Sequence, residues 1–133
     1  LDPGLAADQR PKSPGQKYKH YAPNAPMTVI EGDETLQVHR IIELTEVLED
    51  QGLSVGIMAT AQTRSFYKQG QVLSVGDRTA PPTISSNLFS VLRKFDRMGV
   101  DAILAEGIDK SGLGLAVMNR IYKAAGFNII RVE

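Results

Sequence analysis

The chain has no cysteine and no tryptophan, and only two histidines, His20 and His39. Without cysteine there can be no disulfide and no thiolate metal site, which suits a reducing compartment such as the cytoplasm. Only His20 and His39 could supply imidazole, so neither a zinc centre nor a facial-triad iron site is expected. No apolar run approaches the ~18 residues that span a bilayer, so no membrane partner is expected, and no secretory leader is visible. Neither sign of charge dominates. Fifteen Lys and Arg face fifteen Asp and Glu, so the net charge does not steer the chain toward nucleic acid or acidic membranes. Catalytic signatures are missing as well. There is no Ser or Thr with a nearby His–Asp pattern, no phosphate loop ending in Gly-Lys-Ser, and no acid pair at a diagnostic spacing. We therefore expect no complete active site and no catalytic residue of the chain's own. Position 1 is Leu rather than Met, which reads as the start of a trimmed chain.

What is present is an ordinary globular composition in an uneven arrangement. Hydrophobic residues make up 42% and charged residues 23% of 133 positions, which fits one domain with a real core. Five of the seven prolines fall within residues 1–26, which read as an extended linker. That stretch holds four basic residues against two acids; the remainder holds eleven against thirteen.

From Met27 onward the pattern alternates strand and helix. Short apolar runs at 27–31, 53–58, 72–75, 102–105 and 128–132 read as five buried strands. Asp33 caps an expected helix at 34–51, with Val38, Ile41, Ile42, Thr45 and Leu48 inward. Pro81-Pro82 reads as a break before a helix at 84–98, whose inward face is Ile84, Leu88, Val91, Leu92, Phe95 and Met98. Ser111 is the expected cap of a last helix with Leu113, Val117, Ile121 and Ala125 inward. Gly52, Gly99 and Gly126 each stand where a helix ends and a strand begins, a place that favours left-handed glycine. Helix, glycine, buried strand is the signature of αβ units. The expectation is a Rossmann-like three-layer αβα sandwich over 27–133, with a mostly parallel sheet of about five strands.

Residues 13–23 read Ser-Pro-Gly-Gln-Lys-Tyr-Lys-His-Tyr-Ala-Pro. Passive spacers are built of small polar residues. Here Lys17, Lys19 and His20 stand among Tyr18 and Tyr21, so the run can present cations and phenol rings to an anionic, planar partner such as a nucleotide. The plainer alternative is a linker whose aromatics pack on a domain surface. Elsewhere, Arg64 and Lys68 stand beside Tyr67 in a loop after a strand end. With Gly112 and Gly114, which open the last helix, they are what the sequence offers as a second anion site. Against it, the dinucleotide fingerprint is broken at Val117, where the third glycine would stand, and Arg64 and Lys68 also fit a solvated loop. The glycines read first as permitting close packing of the helix on the sheet. Asn119 and Arg120 read as surface residues, His39 as a helix-surface residue, and Arg93 with Asp96 as an ion pair three positions apart.

The 13–23 run resembles the Ser-Pro-Gly-x-Lys-Tyr-x-His-Tyr-x-Pro linker of the long, two-domain threonylcarbamoyl-AMP synthases. Gly112-Leu-Gly-Leu-Ala-Val-Met-Asn-Arg-Ile-Tyr-Lys-Ala-Ala125 resembles the last helix of their C-terminal domain, and Asn87-Leu-Phe-x-x-Leu-Arg-x-Phe-Asp96 is a weaker third match. The resemblance implies the same Rossmann-like fold. It also implies a parent enzyme that makes threonylcarbamoyl-AMP and pyrophosphate from L-threonine, bicarbonate and ATP (with Mg), for threonylcarbamoyladenosine modification of tRNA. This domain would need no cofactor, and the catalytic domain would be the missing N-terminal one. Ser13, Pro14, Gly15, Lys17, Tyr18, His20, Tyr21 and Pro23 would carry the part of the linker that covers nucleotide and product. Lys19 stands where Arg is frequent, keeping the charge but losing the bidentate fork. The competing expectation is a stand-alone nucleotide-, protein- or tRNA-binding module without catalysis.

Overall fold

The computed structural model describes residues 22–133. The element order is β1 (Met27–Gly32), α1 (Glu34–Asp50), β2 (Val55–Ala59), a 3-10 turn (Arg64–Phe66), β3 (Gln71–Ser74), α2 (Pro81–Met98), β4 (Ala102–Glu106), α3 (Gly114–Ala124) and β5 (Ile129–Val132). The five strands form one sheet in the order β3-β2-β4-β1-β5, and every pair is parallel. Alternation along the strands divides the core into two clusters. Ile30, Ile57 and Leu104 pack with Val38 and Ile41 of α1. Val29, Met58, Ile103 and Ala105 pack with Ile84, Leu92 and Phe95 of α2 and with Val117, Met118 and Ile121 of α3. The result is the expected three-layer αβα arrangement, with one helix on one face and two on the other.

Local chemistry explains the boundaries. The Asp33 side chain accepts from the Leu36 amide at 3.0 Å and starts α1 as anticipated. Gly52, Gly99 and Gly126 have φ of +85°, +68° and +61°, so all three expected helix-ending glycines are left-handed. Gly56 has a different role. A Cβ there would lie 2.7 Å from the ring of Phe95, the largest fully buried side chain, so a bare α-carbon lets that ring seat against β2.

Several expectations need correction. Pro81-Pro82 does not precede the helix but forms its first turn, where the missing amides have no partner to lose. Ser111 does not cap α3. The N-cap is Leu113, without a side-chain bond, and the Gly114 amide donates to the Ser111 carbonyl at 3.0 Å. Leu113 is consequently 66% exposed, Met118 takes the inward place, and Met98 at the far end of α2 is also exposed. Of the two glycines, Gly114 serves close packing, but against a loop rather than the sheet, whereas Gly112 has open space around it and a left-handed φ of +55°. A Cβ on Gly114 would stand 1.9 Å from the Asp109 carbonyl oxygen. Among the described residues, no helix is long and apolar enough to cross a membrane.

Candidate functional site

In an open parallel sheet, ligands bind beyond the carboxyl ends of the strands where neighbouring connections leave to opposite faces. Here that point lies between β1, which feeds α1, and β4, which feeds α3. Two buried carboxylates stand there, Glu31 on β1 and Glu106 at the end of β4.

Glu106 is 2% exposed and fully engaged. Its Oε1 accepts from the Thr60 amide at 3.2 Å, the Thr60 hydroxyl at 3.1 Å and Arg78 Nη2 at 3.0 Å. Its Oε2 accepts from the Thr63 hydroxyl at 2.6 Å and from the Tyr67 hydroxyl. Arg78 Nε donates to Thr60 Oγ1 at 3.2 Å and lies 3.6 Å from Glu34. Burial, then the neighbouring Glu106 carboxylate, pushes the Tyr67 hydroxyl well above the ordinary tyrosine value. Across the edge, Glu31 accepts from the Tyr122 hydroxyl and from Arg131 Nε at 2.6 Å, with Lys110 Nζ 4.0 Å away. Gln37 joins the two strand ends, donating to the Gly32 carbonyl at 2.8 Å and accepting from the Gly107 amide at 3.1 Å.

A cleft of about 410 Å³ opens above, lined by Glu31, Gly32, Arg78, Ile108, Lys110 and Arg131 among others. Its two buried carboxylates are already engaged within the protein. Each buried carboxylate is covered by donors, and Arg78 and Arg131 are paired with them. Neither Glu106 nor Glu31 is placed to take a proton from a substrate, and no group of His, Cys, Asp and Glu among the described residues could hold a metal. The networks instead tie together the β2–β3 loop, the β3–α2 loop and the strand ends. Gln62 reinforces this by donating to Asp77 at 2.6 Å and accepting from the Arg78 amide at 3.1 Å.

The residues expected for a second anion site lie apart. Lys68 donates to the Ser65 carbonyl at 3.0 Å and lines a groove with Ile42 and Glu46 of α1; Arg64 is exposed in the 3-10 turn. Gly112 and Gly114 are at the start of α3, on the other face. Asn119, Arg120 and His39 are at the surface, as anticipated. Sequence reasoning did not single out Glu31, Gln37, Thr60, Thr63, Arg78 or Glu106. The readable signal was Glu106 itself, a charge closing an apolar strand directly before a glycine.

Ser13, Pro14, Gly15, Lys17, Tyr18, His20 and Tyr21 lie outside the described residues. The segment from Ala22 that includes Pro23 is seen, and it is fastened. Arg93 Nη2 donates to the Ala22 carbonyl at 2.9 Å, and Asp96 Oδ1 accepts from the Asn24 amide at 2.8 Å. The anticipated Arg93–Asp96 pair exists, at 3.2 Å, and holds this segment as well. Ala25 packs on the core, and the Pro26 carbonyl accepts from the Ile103 amide at 2.9 Å.

Fold and site together define a Rossmann-like α/β domain with a consolidated strand edge and a chain entry pinned along α2. Residues 2–126 match the family model described as threonylcarbamoyl-AMP synthase, C-terminal domain, and the chain belongs to that family. It is 45% identical over 121 residues to the threonylcarbamoyl-AMP synthase of Pyrococcus abyssi, covering 91% of this chain and 34% of the relative. To that of Bacillus subtilis it is 40% identical over 132 residues, covering 98% and 37%. The chain thus spans about a third of the length of these relatives. Among solved structures, P. abyssi Sua5 complexed with L-threonine superposes with a TM-score of 0.73 at 40% identity, covering 85% of this chain and 32% of that one. A P. abyssi Sua5 variant with alanine replacing His and Tyr at consecutive positions gives 0.73 at 42%, covering 83% and 30%. The C-terminal Sua5 domain of Pyrococcus horikoshii gives 0.67 at 35% identity, covering 84% of this chain and all of that one.

Proposed function

We propose that this chain is the accessory C-terminal domain and preceding linker of an L-threonylcarbamoyladenylate synthase. The parent enzyme, a nucleotidyltransferase, condenses L-threonine, bicarbonate and ATP, with Mg, into threonylcarbamoyl-AMP and pyrophosphate, and its product feeds tRNA modification in the cytoplasm. The observation that carries the reading is family membership over residues 2–126 in a chain that spans about a third of its curated relatives. The absent remainder supplies the catalytic domain and its substrate contacts, and this domain needs no cofactor.

On this reading residues 13–23 close over the catalytic cleft. A mixed anhydride hydrolyses readily, so a cover that excludes water preserves the product. Lys17 and His20 meet phosphate oxygens, and Tyr18 and Tyr21 stack on the base or seal the pocket. Pro14 and Pro23, whose rings fix φ, favour an extended run, and Ser13 and Gly15 complete the motif. The pinning of Ala22 and Asn24 on α2 supports this, because a cover needs one fixed end. The test is the full-length protein with Lys17, Tyr18 and Tyr21 each changed to Ala. Weaker ATP binding and faster product escape are expected. Unchanged affinity and unchanged retention would overturn the role of the linker.

A further inference from the structure

We infer that the groove between α2 and α3 is a docking site for the linker segment just before Ala22, with Tyr18 and Tyr21 as its anchors. The groove has a volume of about 340 Å³ and an apolar floor of Leu88, Leu92 and Ala124. Phe89 stands along one side and Arg120 and Lys123 along the other.

The occupant follows from how the chain arrives. Asn24 is held at Asp96, and two residues earlier Ala22 is held at Arg93. Read backward, the segment therefore runs along α2 toward the helix N-terminus. An extended chain advances about 3.3 Å per residue and a helix about 1.5 Å. Two more residues of linker reach the level of Phe89, one turn before Arg93, and about two more reach Ser85. Phe89 and Ser85 line the groove. The Arg93 guanidinium, which holds the Ala22 carbonyl, also lies 5.6 Å from the centre of the Phe89 ring, so the last seen anchor borders the groove.

The linker suits the shape. In the polyproline II geometry natural to a Pro-rich segment, residues three apart share an edge, about 9 Å from one to the next. Tyr18 and Tyr21 have that spacing. The α2 wall from Ser85 to Leu92 offers about 10 Å of helix axis. Two phenol rings on one edge meet the apolar floor, with Arg120 and Lys123 placed to lie against ring faces. The linker's own lysines, Lys17 and Lys19, occupy other edges and stay in water. Where the reading of residues 13–23 as a cover also holds, the groove is the competing berth of the same tyrosines. Docking there would then oppose closure over a nucleotide.

The docking is testable in this chain alone, without nucleotide, so its failure is separate from failure of the synthase reading. The protein has no cysteine, which makes introduced pairs unambiguous. Tyr21→Cys with Phe89→Cys should close to an intramolecular disulfide under mild oxidation. It should form about tenfold faster than the control Tyr21→Cys with Val47→Cys, whose partner is exposed on α1, since proximity sets effective concentration. Equal rates for the two pairs would overturn the proposal. So would exclusively dimeric product, which would seat a second copy in the groove. As a readout that leaves Phe89 in place, Tyr18→Ala with Tyr21→Ala should shift the amide resonances of Leu88, Leu92 and Ala124. Unshifted signals at all three would equally overturn it.

Discussion

Glu106 closes β4 with five donors around it, supplied by Thr60, Thr63, Tyr67 and Arg78, between 28 and 46 positions away in the chain. That is why the cluster was not legible in the sequence. Thr60, Thr63 and Tyr67 look like members of a polar loop, and Arg78 like a surface cation, until the sheet brings them together. The buried Glu106–Arg78 pair is also asymmetric in energy. As a pair it contributes modestly, but removing one partner leaves an uncompensated charge at a cost of about 3–5 kcal/mol. Tyr67 makes the environment measurable. Its hydroxyl is raised above the ordinary tyrosine value, first by burial and then by Glu106. In the unfolded chain it loses its proton near 10.0, while the folded state still holds it. Above that pH the native state binds more protons than the unfolded one, so stability is complete below about pH 10 and falls as pH rises further. Tyr122 is raised in the same direction, mainly by burial and by its bond to Glu31. Urea unfolding at about pH 9 and about pH 11 should therefore show a loss of stability that Tyr67→Phe reduces but does not abolish. The variant's lower overall stability, from the lost hydroxyl bond to Glu106, is a pH-independent offset.

Among the elements, β-strands and helix C-termini were read well because their signals are local. A continuous apolar run and a left-handed glycine each carry their cause in adjacent residues. Helix N-termini were read less well. Pro81-Pro82 punctuates a sequence in the same way whether it precedes a helix or opens one, and only the path from β3 into α2 decides. Ser111 is a good capping residue, but the loop from Gly107 folds so close to Gly114 that the helix starts later and turns Leu113 outward. Arg93 and Asp96 show the same limit from another side. Their spacing announces an ion pair, which alone contributes little, and nothing local announces that they also grip Ala22 and Asn24. The Asp96→Ala variant should leave the sheet intact and release that grip. The Asn24 amide should exchange with solvent roughly tenfold faster, the equivalent of about 1.4 kcal/mol for a hydrogen bond to a charged acceptor. The Ile103 amide, bonded to Pro26 on the sheet side, should exchange as before. Equal acceleration at both would mean that Asp96 supports the whole edge rather than the chain entry. Hydrogen exchange resolved by residue distinguishes the two.

For the molecule as a whole, the layered fold followed from alternating periodicity, but the fold does not confer chemistry. The crevice that a parallel sheet leaves at its switch point exists here, and the two buried carboxylates at its floor are already paired within the protein. Arg78 is committed to Glu106, Arg131 to Glu31, and Arg93 to Asp96 and the Ala22 carbonyl. Adenylyl transfer depends on positioned cations that meet developing phosphate charge, and on a site that excludes water. The Arg78 guanidinium would have to break a buried pair to serve, and the cleft that Arg78 and Arg131 border is open. Incubated with ATP, Mg, L-threonine and bicarbonate, this chain alone should therefore release no pyrophosphate above a protein-free control, whereas the full-length protein should. A coupled pyrophosphate assay across gel-filtration fractions checks this. Activity that co-elutes with this chain would place a catalytic site within it. Retained in the Glu106→Gln variant, that activity would exonerate the strand-edge cluster and direct attention to residues 1–21.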